Sequence, residues 1–217
     1  MKKLMLVLAL AALCIPAAAL AKKPPPRTQV LAAKNASWAC KALQVRMGRQ
    51  SFLAAFGENR NARGPGAMRN AFGKCVSQKR RAILRARLFE PATVTVTNPA
   101  AATVTLAGTI SGGRPLASGT LAGSLNVDTA HAVTRAGVTC APATGTLTLT
   151  QASPAGTLVK TLTTATFCRG AAGAALVGRY TLTGTGAFAG KTGTGVELLL
   201  APAGGTAHSV EYGSLNG

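Results

Sequence analysis

From Thr93 onward, hydroxyl and apolar residues alternate with a period of two, most clearly in Thr93-Val94-Thr95-Val96-Thr97. Val104, Leu106 and Ile110 fall on one side with Thr103, Thr105 and Thr109 on the other, and Leu147 and Leu149 oppose Thr146, Thr148 and Thr150. Leu121, Leu125 and Val127 repeat the pattern, as do Val196, Leu198 and Leu200. A period of two predicts half-buried antiparallel strands with a polar outer face. Gly and Pro clusters divide the stretch into about eight or nine strands, which suits a small closed barrel, with a β-sandwich as the alternative. The alternation slips at Thr163-Thr164, where a bulge is expected.

Ahead of the strands the period is helical. From about Thr28 to Phe56 the chain has no Pro and is rich in Ala, Leu, Gln, Lys and Arg, all good helix formers. Leu31, Trp38, Val45 and Phe52 recur every seventh residue, with Phe56 beside them, and Gly57 is placed to end the helix. Residues 58–66 carry turn chemistry. A second helix is predicted over 67–89, with Phe72, Val76 and Ile83 on one face and Lys74, Arg81 and Arg85 opposite. Lys79 falls on the apolar side. The result is a helical hairpin at 28–90 ahead of a β-module at 91–217.

Met1 to Ala21 reads as a secretory signal peptide: Lys2 and Lys3, then the apolar run Leu4 to Ile15, then Ala19-Leu20-Ala21 as a cleavage site. The run is too short to span a bilayer, so the mature chain has no predicted transmembrane span. Cys14 follows Leu13, where a lipobox requires a small residue. A Lys/Pro-rich lead, 22–27, includes Pro24-Pro25-Pro26 and should be extended. Cleavage leaves Cys40, Cys75, Cys140 and Cys168, and an even count in an exported protein argues for disulfides. Three pairings are open. Joining nearest neighbours gives Cys40–Cys75 in the helical region and Cys140–Cys168 in the strands.

Charge sharpens the division. Residues 22–90 hold 16 Lys and Arg against 2 acids, whereas 91–217 hold 6 against 3 and carry 25 of the 26 threonines. Outside a cell, such a cationic segment is drawn to polyanions. Lys74, Lys79, Arg80, Arg81, Arg85 and Arg87 are the candidate polyanion-binding residues, for an anionic envelope polymer or an acidic lipid surface held weakly by electrostatics. Few aromatic residues interleave with these cations, so sequence-specific nucleic-acid recognition is not expected.

At Gly178-Arg-Tyr-Thr-Leu-Thr-Gly-Thr-Gly-Ala-Phe-Ala-Gly190 the chain resembles a strand–turn–strand motif of allene oxide cyclase-like and dirigent-like β-barrels and of bacterial secreted relatives of unknown function. Tyr180, Gly184, Thr185, Gly186, Phe188, Ala189 and Gly190 match it, while Thr183 and Lys191 depart. Asn70 to Ser77 is similar to a segment of secreted actinobacterial-type proteins. The resemblance implies an antiparallel barrel of about eight strands, with the matched residues structural. No catalytic residue of the cyclases maps onto this chain.

Other chemistry finds little footing. Gly190-Lys191-Thr192 imitates a phosphate-binding loop, but the required first Gly position is Thr185, and no helix follows. The carboxylates beyond the leader are Glu58, Glu90, Asp128, Glu197 and Glu211. Glu197 and Glu211 could meet on adjacent strands, but a salt bridge to Lys191 or Arg179 is the expected arrangement. Asp128 with His131, and His208 with Ser209, lack a nucleophile elbow. No metal or cofactor is expected, since His131 and His208 are the only imidazoles. An ice-binding threonine array needs a constant repeat, and Thr95, Thr105, Thr148, Thr163 and Thr183 are irregularly spaced along the chain.

The α+β reading is therefore a disulfide-bridged helical hairpin followed by an antiparallel β-barrel. Functionally it is a secreted, non-enzymatic interaction or small-ligand module, tethered by its basic helices and with room for a small apolar ligand. The alternatives are a cofactor-free cyclase- or isomerase-like enzyme and a wall-associated structural protein.

Overall fold

The computed structural model describes residues 27–57 and 65–216. The expected signal peptide, the expected lead up to residue 26 and the expected turn at 58–64 lie outside the described residues, and so do the side chains of residues 27–31, Leu31 among them. Two helices come first: α1 (Arg27–Phe56) and α2 (Pro65–Arg85). α1 is kinked at Gly48, whose φ of 70° only glycine adopts without strain. It ends at Gly57, whose N–H donates to the Leu53 carbonyl at 2.7 Å. The buried Cys40–Cys75 disulfide joins the two helices.

The remaining elements are strands: β1 (Leu88–Thr97), β2 (Thr103–Ser111), β3 (Ser118–Val127), β4 (Val133–Arg135), β5 (Val138–Gln151), β6 (Gly156–Gly170), β7 (Gly173–Gly186), β8 (Thr192–Pro202) and β9 (Ala207–Asn216). All pairings are antiparallel. The order β3-β2-β1-β9-β8-β7-β6-β5 is closed by β3 pairing with β5, giving an eight-stranded barrel with β4 as a short flap on β5. The barrel, not the sandwich, is the fold. Cys140 and Cys168 are direct cross-strand partners on β5 and β6 and form the second disulfide. The register shift between Leu162 and Thr164 is the expected bulge.

Helix α2 is shorter than expected, because the chain is already strand at Leu88. The Arg114 guanidinium, from the β2–β3 loop, donates to the Ile83 carbonyl at 3.1 Å and caps α2 early. Phe89 then exchanges two backbone hydrogen bonds with Arg114. Pro91, two residues on, turns its missing N–H toward the same side, where β2 has not yet begun to pair. The division between helices and strands therefore falls at residues 86–87, and Glu90 belongs to the barrel.

Most of the barrel interior follows the alternation. Val104, Leu106, Ile110, Leu121, Leu125, Leu147 and Leu149 are buried inside, and their threonine neighbours face outward. Across β1, β2, β3, β5, β6 and β7 the outward residues Thr93, Thr109, Thr120, Thr150, Thr157 and Thr185 form one unbroken cross-strand row. Spacing that is irregular along the chain is thus regular in space. The row bends around a closed barrel, so it offers no flat face for an ice lattice.

β7, β8 and β9 differ. Val196, Leu198 and Leu200 point outward, and with Ala175 and Val177 they pack under the helices. On this side small residues of α1, Ala39 and Ala42, are fully buried against α2 and the barrel, with Leu43 beside them. Trp38, Val45 and Phe56 of the anticipated stripe are only partly buried, whereas Phe52 is fully so. Alanine lets the helix backbone approach closely, a signal that large hydrophobic residues do not carry.

Candidate functional site

Turning the apolar face of β8 and β9 outward puts their other face inside the barrel. Glu90, Glu211 and Glu197 are direct cross-strand partners on β1, β9 and β8, and all three are fully buried. Lys160 reaches them from β6. Its ammonium lies 2.6 Å from Glu197 Oε2, pairs with Glu211 Oε1, and sits 5.4 Å from the centre of the Tyr180 ring. Ser209 Oγ donates to the other oxygen of Glu197. Glu90 Oε1 accepts the Leu116 N–H at 2.9 Å. Glu90 Oε2 and the Tyr180 hydroxyl are buried without a hydrogen-bond partner.

One ammonium faces three carboxyl groups. Burial pushes the Glu90 carboxyl up to about 9, with Glu211 adding to the rise. Burial also raises Glu211, against the pull of Lys160. Burial works to lower Lys160, but Glu197 and Glu211 outweigh it and hold the ammonium charged. Burial and the surrounding carboxylates raise the Tyr180 phenol. Burial thus favours the protonated carboxyls of Glu90 and Glu211 beside the Lys160 ammonium. The sequence expectation paired Glu197 or Glu211 with Lys191 or Arg179. Their actual partner is Lys160, because the two glutamates lie inside the barrel and Arg179 outside it.

This waist is sealed at one end. Leu116 from the β2–β3 loop and Phe188 from the β7–β8 turn both pack into the interior cluster. That turn holds the recognised motif. Gly186 and Gly190 adopt positive φ, and a side chain at Gly184 would strike the Phe188 carbonyl. Thr185 Oγ1 lies 2.5 Å from Thr157 Oγ1, Ala189 N–H bonds the Gly186 carbonyl, and Tyr180 lies inside, over Gly195.

The other end is open. A cavity of about 1000 Å³ occupies the mouth, walled by the ends of β1, β6, β7, β8 and β9. Its lining is Ala, Gly, Pro, Val and Thr with a single charged residue, Arg169, and no acid. Arg169 Nη1 donates to the Ala100 carbonyl at 2.5 Å, which fixes the guanidinium at the rim. Below the floor residues Val94 and Ala207 lies one layer containing Ala92, Ser209, Leu199 and Leu176, and beneath that the carboxyl row.

The basic residues of α2 and of the short junction after it do not act alike. Lys74, Arg81, Arg85 and Arg87 are exposed, and Arg80 is half-buried. Lys79 departs from the polyanion-binding set: its ammonium bonds the Tyr212 hydroxyl at 2.9 Å and lies 5.6 Å from that ring's centre. It faces the barrel, which explains its place on the apolar side of the helix. Arg85 and Arg87 sit where β1 starts and the mouth cavity where β1 ends, roughly 25 Å away at strand rise.

Both histidines have partners within the fold. His131 Nδ1 lies 2.6 Å from Asp128 Oδ2 on an exposed 3₁₀ turn, and His208 stacks on Trp38 with ring centres 4.4 Å apart. Among the described residues, no group of three or more His, Cys, Asp or Glu is arranged to hold a metal ion. No described helix is long and apolar enough to cross a membrane. Two formed disulfides point to a non-reducing environment. No protein-family model, curated protein or solved structure matches the chain.

Proposed function

We propose that the chain is an exported ligand-binding barrel, holding a small, mainly apolar molecule in its mouth with an anionic or acceptor group against Arg169. The observation that carries this reading is the cavity of about 1000 Å³, whose apolar wall holds one convergent cation. Such a volume lies at the upper end of small-molecule sites, about 300–1000 Å³. The carboxyl row does not supply the chemistry, since its groups are fully buried below a packed layer. Export agrees with the signal-like leader and the two cystines. The exposed cations Lys74, Arg81, Arg85 and Arg87 then act as a weak tether to anionic polymer or acidic lipid, with Arg85 and Arg87 at the far end from the mouth. A resident ligand distinguishes this reading from a purely structural wall protein.

The test is titration of anilinonaphthalene sulfonate, an apolar probe with one negative charge, into the chain from residue 22. We expect saturable binding at one site. Arg169→Gln should weaken it roughly tenfold or more, the range for a hydrogen bond to a charged group. Ala207→Trp should fill the mouth and abolish it. Undiminished binding by Ala207→Trp would overturn the ligand role. In a second arm, retention on vesicles containing anionic lipid should fall with salt and with Arg81→Gln/Arg85→Gln/Arg87→Gln. Retention independent of both would remove the tether.

A further inference from the structure

The carboxyl row holds a primary amine against two carboxyl groups in a dry interior. Lys160, Glu197 and Glu211 are all fully buried. The two acids meet the amine differently. Both oxygens of Glu197 are satisfied: Oε2 accepts from Lys160 at 2.6 Å, and Oε1 accepts from the Ser209 hydroxyl. Glu211 Oε1 is within ion-pair reach of the same ammonium, yet neither Glu211 oxygen stands in hydrogen-bond geometry to a described donor. A buried acid in that state is an exception that calls for a reason.

In water an amine and a carboxylic acid do not condense, because solvent holds each in its charged form. Burial withdraws that solvent, and it acts against charge on both Lys160 and Glu211. At Glu211 burial prevails, and the protonated carboxyl that it favours is the electrophilic form. Glu90, its cross-strand neighbour on β1, is raised in the same way, so burial favours a neutral acid beside it rather than a second anion. At Lys160 the two glutamates prevail and hold the ammonium charged at rest. Its proton nevertheless has an acceptor in contact, Glu197, and a desolvated lysine that gives up its proton is a strong nucleophile. Reactants fixed against each other act at effective concentrations on the order of 10⁵ M or more.

From this contact between a buried amine, a satisfied carboxylate and an unsatisfied acid, we infer that Lys160 and Glu211 condense into an amide inside the folded barrel. Glu197 takes one proton from the Lys160 ammonium and keeps it. The freed Nζ lone pair bonds to Glu211 Cδ, the C–OH bond of the protonated carboxyl breaks, and the hydroxyl leaves as water with a second Nζ proton. Nothing is oxidised or reduced, and no co-reactant is consumed. The row as described above is the chain before condensation, in which Glu211 still titrates. The amide ties β6 to β9 across the interior, where Cys140–Cys168 already ties β5 to β6. β9 is also the strand that closes the ring on β1. The linkage does not depend on any ligand in the mouth.

The test is the intact mass of the chain from residue 22, folded with both disulfides, incubated at neutral pH, then reduced and denatured. We expect the bulk of it to be lighter than its sequence by one water. Tryptic cleavage after Lys160 should be lost, and fragmentation of the joined peptides should place the link at Glu211. Lys160→Arg keeps a buried cation but never offers a neutral amine, and should retain the full mass. Glu197→Met, which removes the proton acceptor, should retain it too. A wild-type chain of full mass after prolonged incubation would overturn the inference, whether or not either variant folds. So would a water loss that persists in Lys160→Arg or Glu197→Met, or one mapped elsewhere, such as a Lys160–Glu197 link or a dehydrated Asp128.

Discussion

The two walls of the barrel obey the same alternation and reach opposite results. On β2, β3 and β5 the leucines point in, the threonines point out, and no charged side chain appears in any of the three strands. On β8 and β9 Val196, Leu198, Leu200 and Val210 point out to meet the helices, while the glutamates point in on the same face as Leu199 and Ser209. Alternation tells which residues share a face. It does not tell which face is inside. That depends on what covers the outer surface, and here α1 and α2 supply a second apolar layer. With both sides of the wall dry, a charge on β8 has no route to water and must find its partner within the barrel.

The largest effect that would sharpen this contrast is pH dependence. The Glu90 and Glu211 carboxyls are raised in the folded chain, so the folded state holds protons that the unfolded state releases. Stability from these groups is complete below the ordinary carboxylate range and is lost as pH rises toward about 9. Thermal melts from pH 5 to 9 should show a falling midpoint. The slope is at most about 1.4 kcal/mol per pH unit for each proton retained. Glu90→Gln/Glu211→Gln should flatten it, and an equally steep slope in that variant would place the titration elsewhere.

Next comes removal of the cation. Lys160→Met leaves Glu197 buried against neighbours that cannot compensate it, with an expected loss of about 3–5 kcal/mol by denaturant titration. A change below about 1 kcal/mol would mean that the ion pair is not sealed. The two walls then separate in a paired substitution. Leu198→Ala, under the helices, should cost about 2–5 kcal/mol, while Thr146→Ala, on the open wall, should stay within about 0.5 kcal/mol. Comparable losses at both sites would erase the distinction between the walls.

Much of the fold was legible because strand period, turn glycines and cysteine count are local signals. Val104-x-Leu106 and Thr146-x-Thr148 mark strand faces without help from tertiary structure, and each pair of nearest cysteines bridges as its regional placement implies. The carboxyl row was legible only in part. Lys160 stands in phase with Leu158 and Leu162, Glu197 with Leu199, and Glu211 with Ala207, so charges at apolar positions were visible. Their convergence was not, because it depends on registers among strands far apart in sequence. The mouth was hidden for a related reason. Its wall is Ala, Gly and Thr, residues that announce a cavity only after a ring has closed around them. Pro91 misled as a boundary because an edge without a pairing partner tolerates proline as readily as a loop does.

The seam of the ring joins β1 to β9, the first strand to the last. A nascent chain can form the β2–β3 and β5–β6 hairpins as they emerge, but no fragment ending before residue 207 can complete the cylinder. Such a fragment also lacks Glu211, the middle member of the carboxyl row, and Val210 and Tyr212, which meet the helices. Ring closure, charge neutralisation and helix docking thus wait for the same ten residues of β9. A polypeptide built this way stays an open sheet until β9 has been made, whatever the state of the other eight strands.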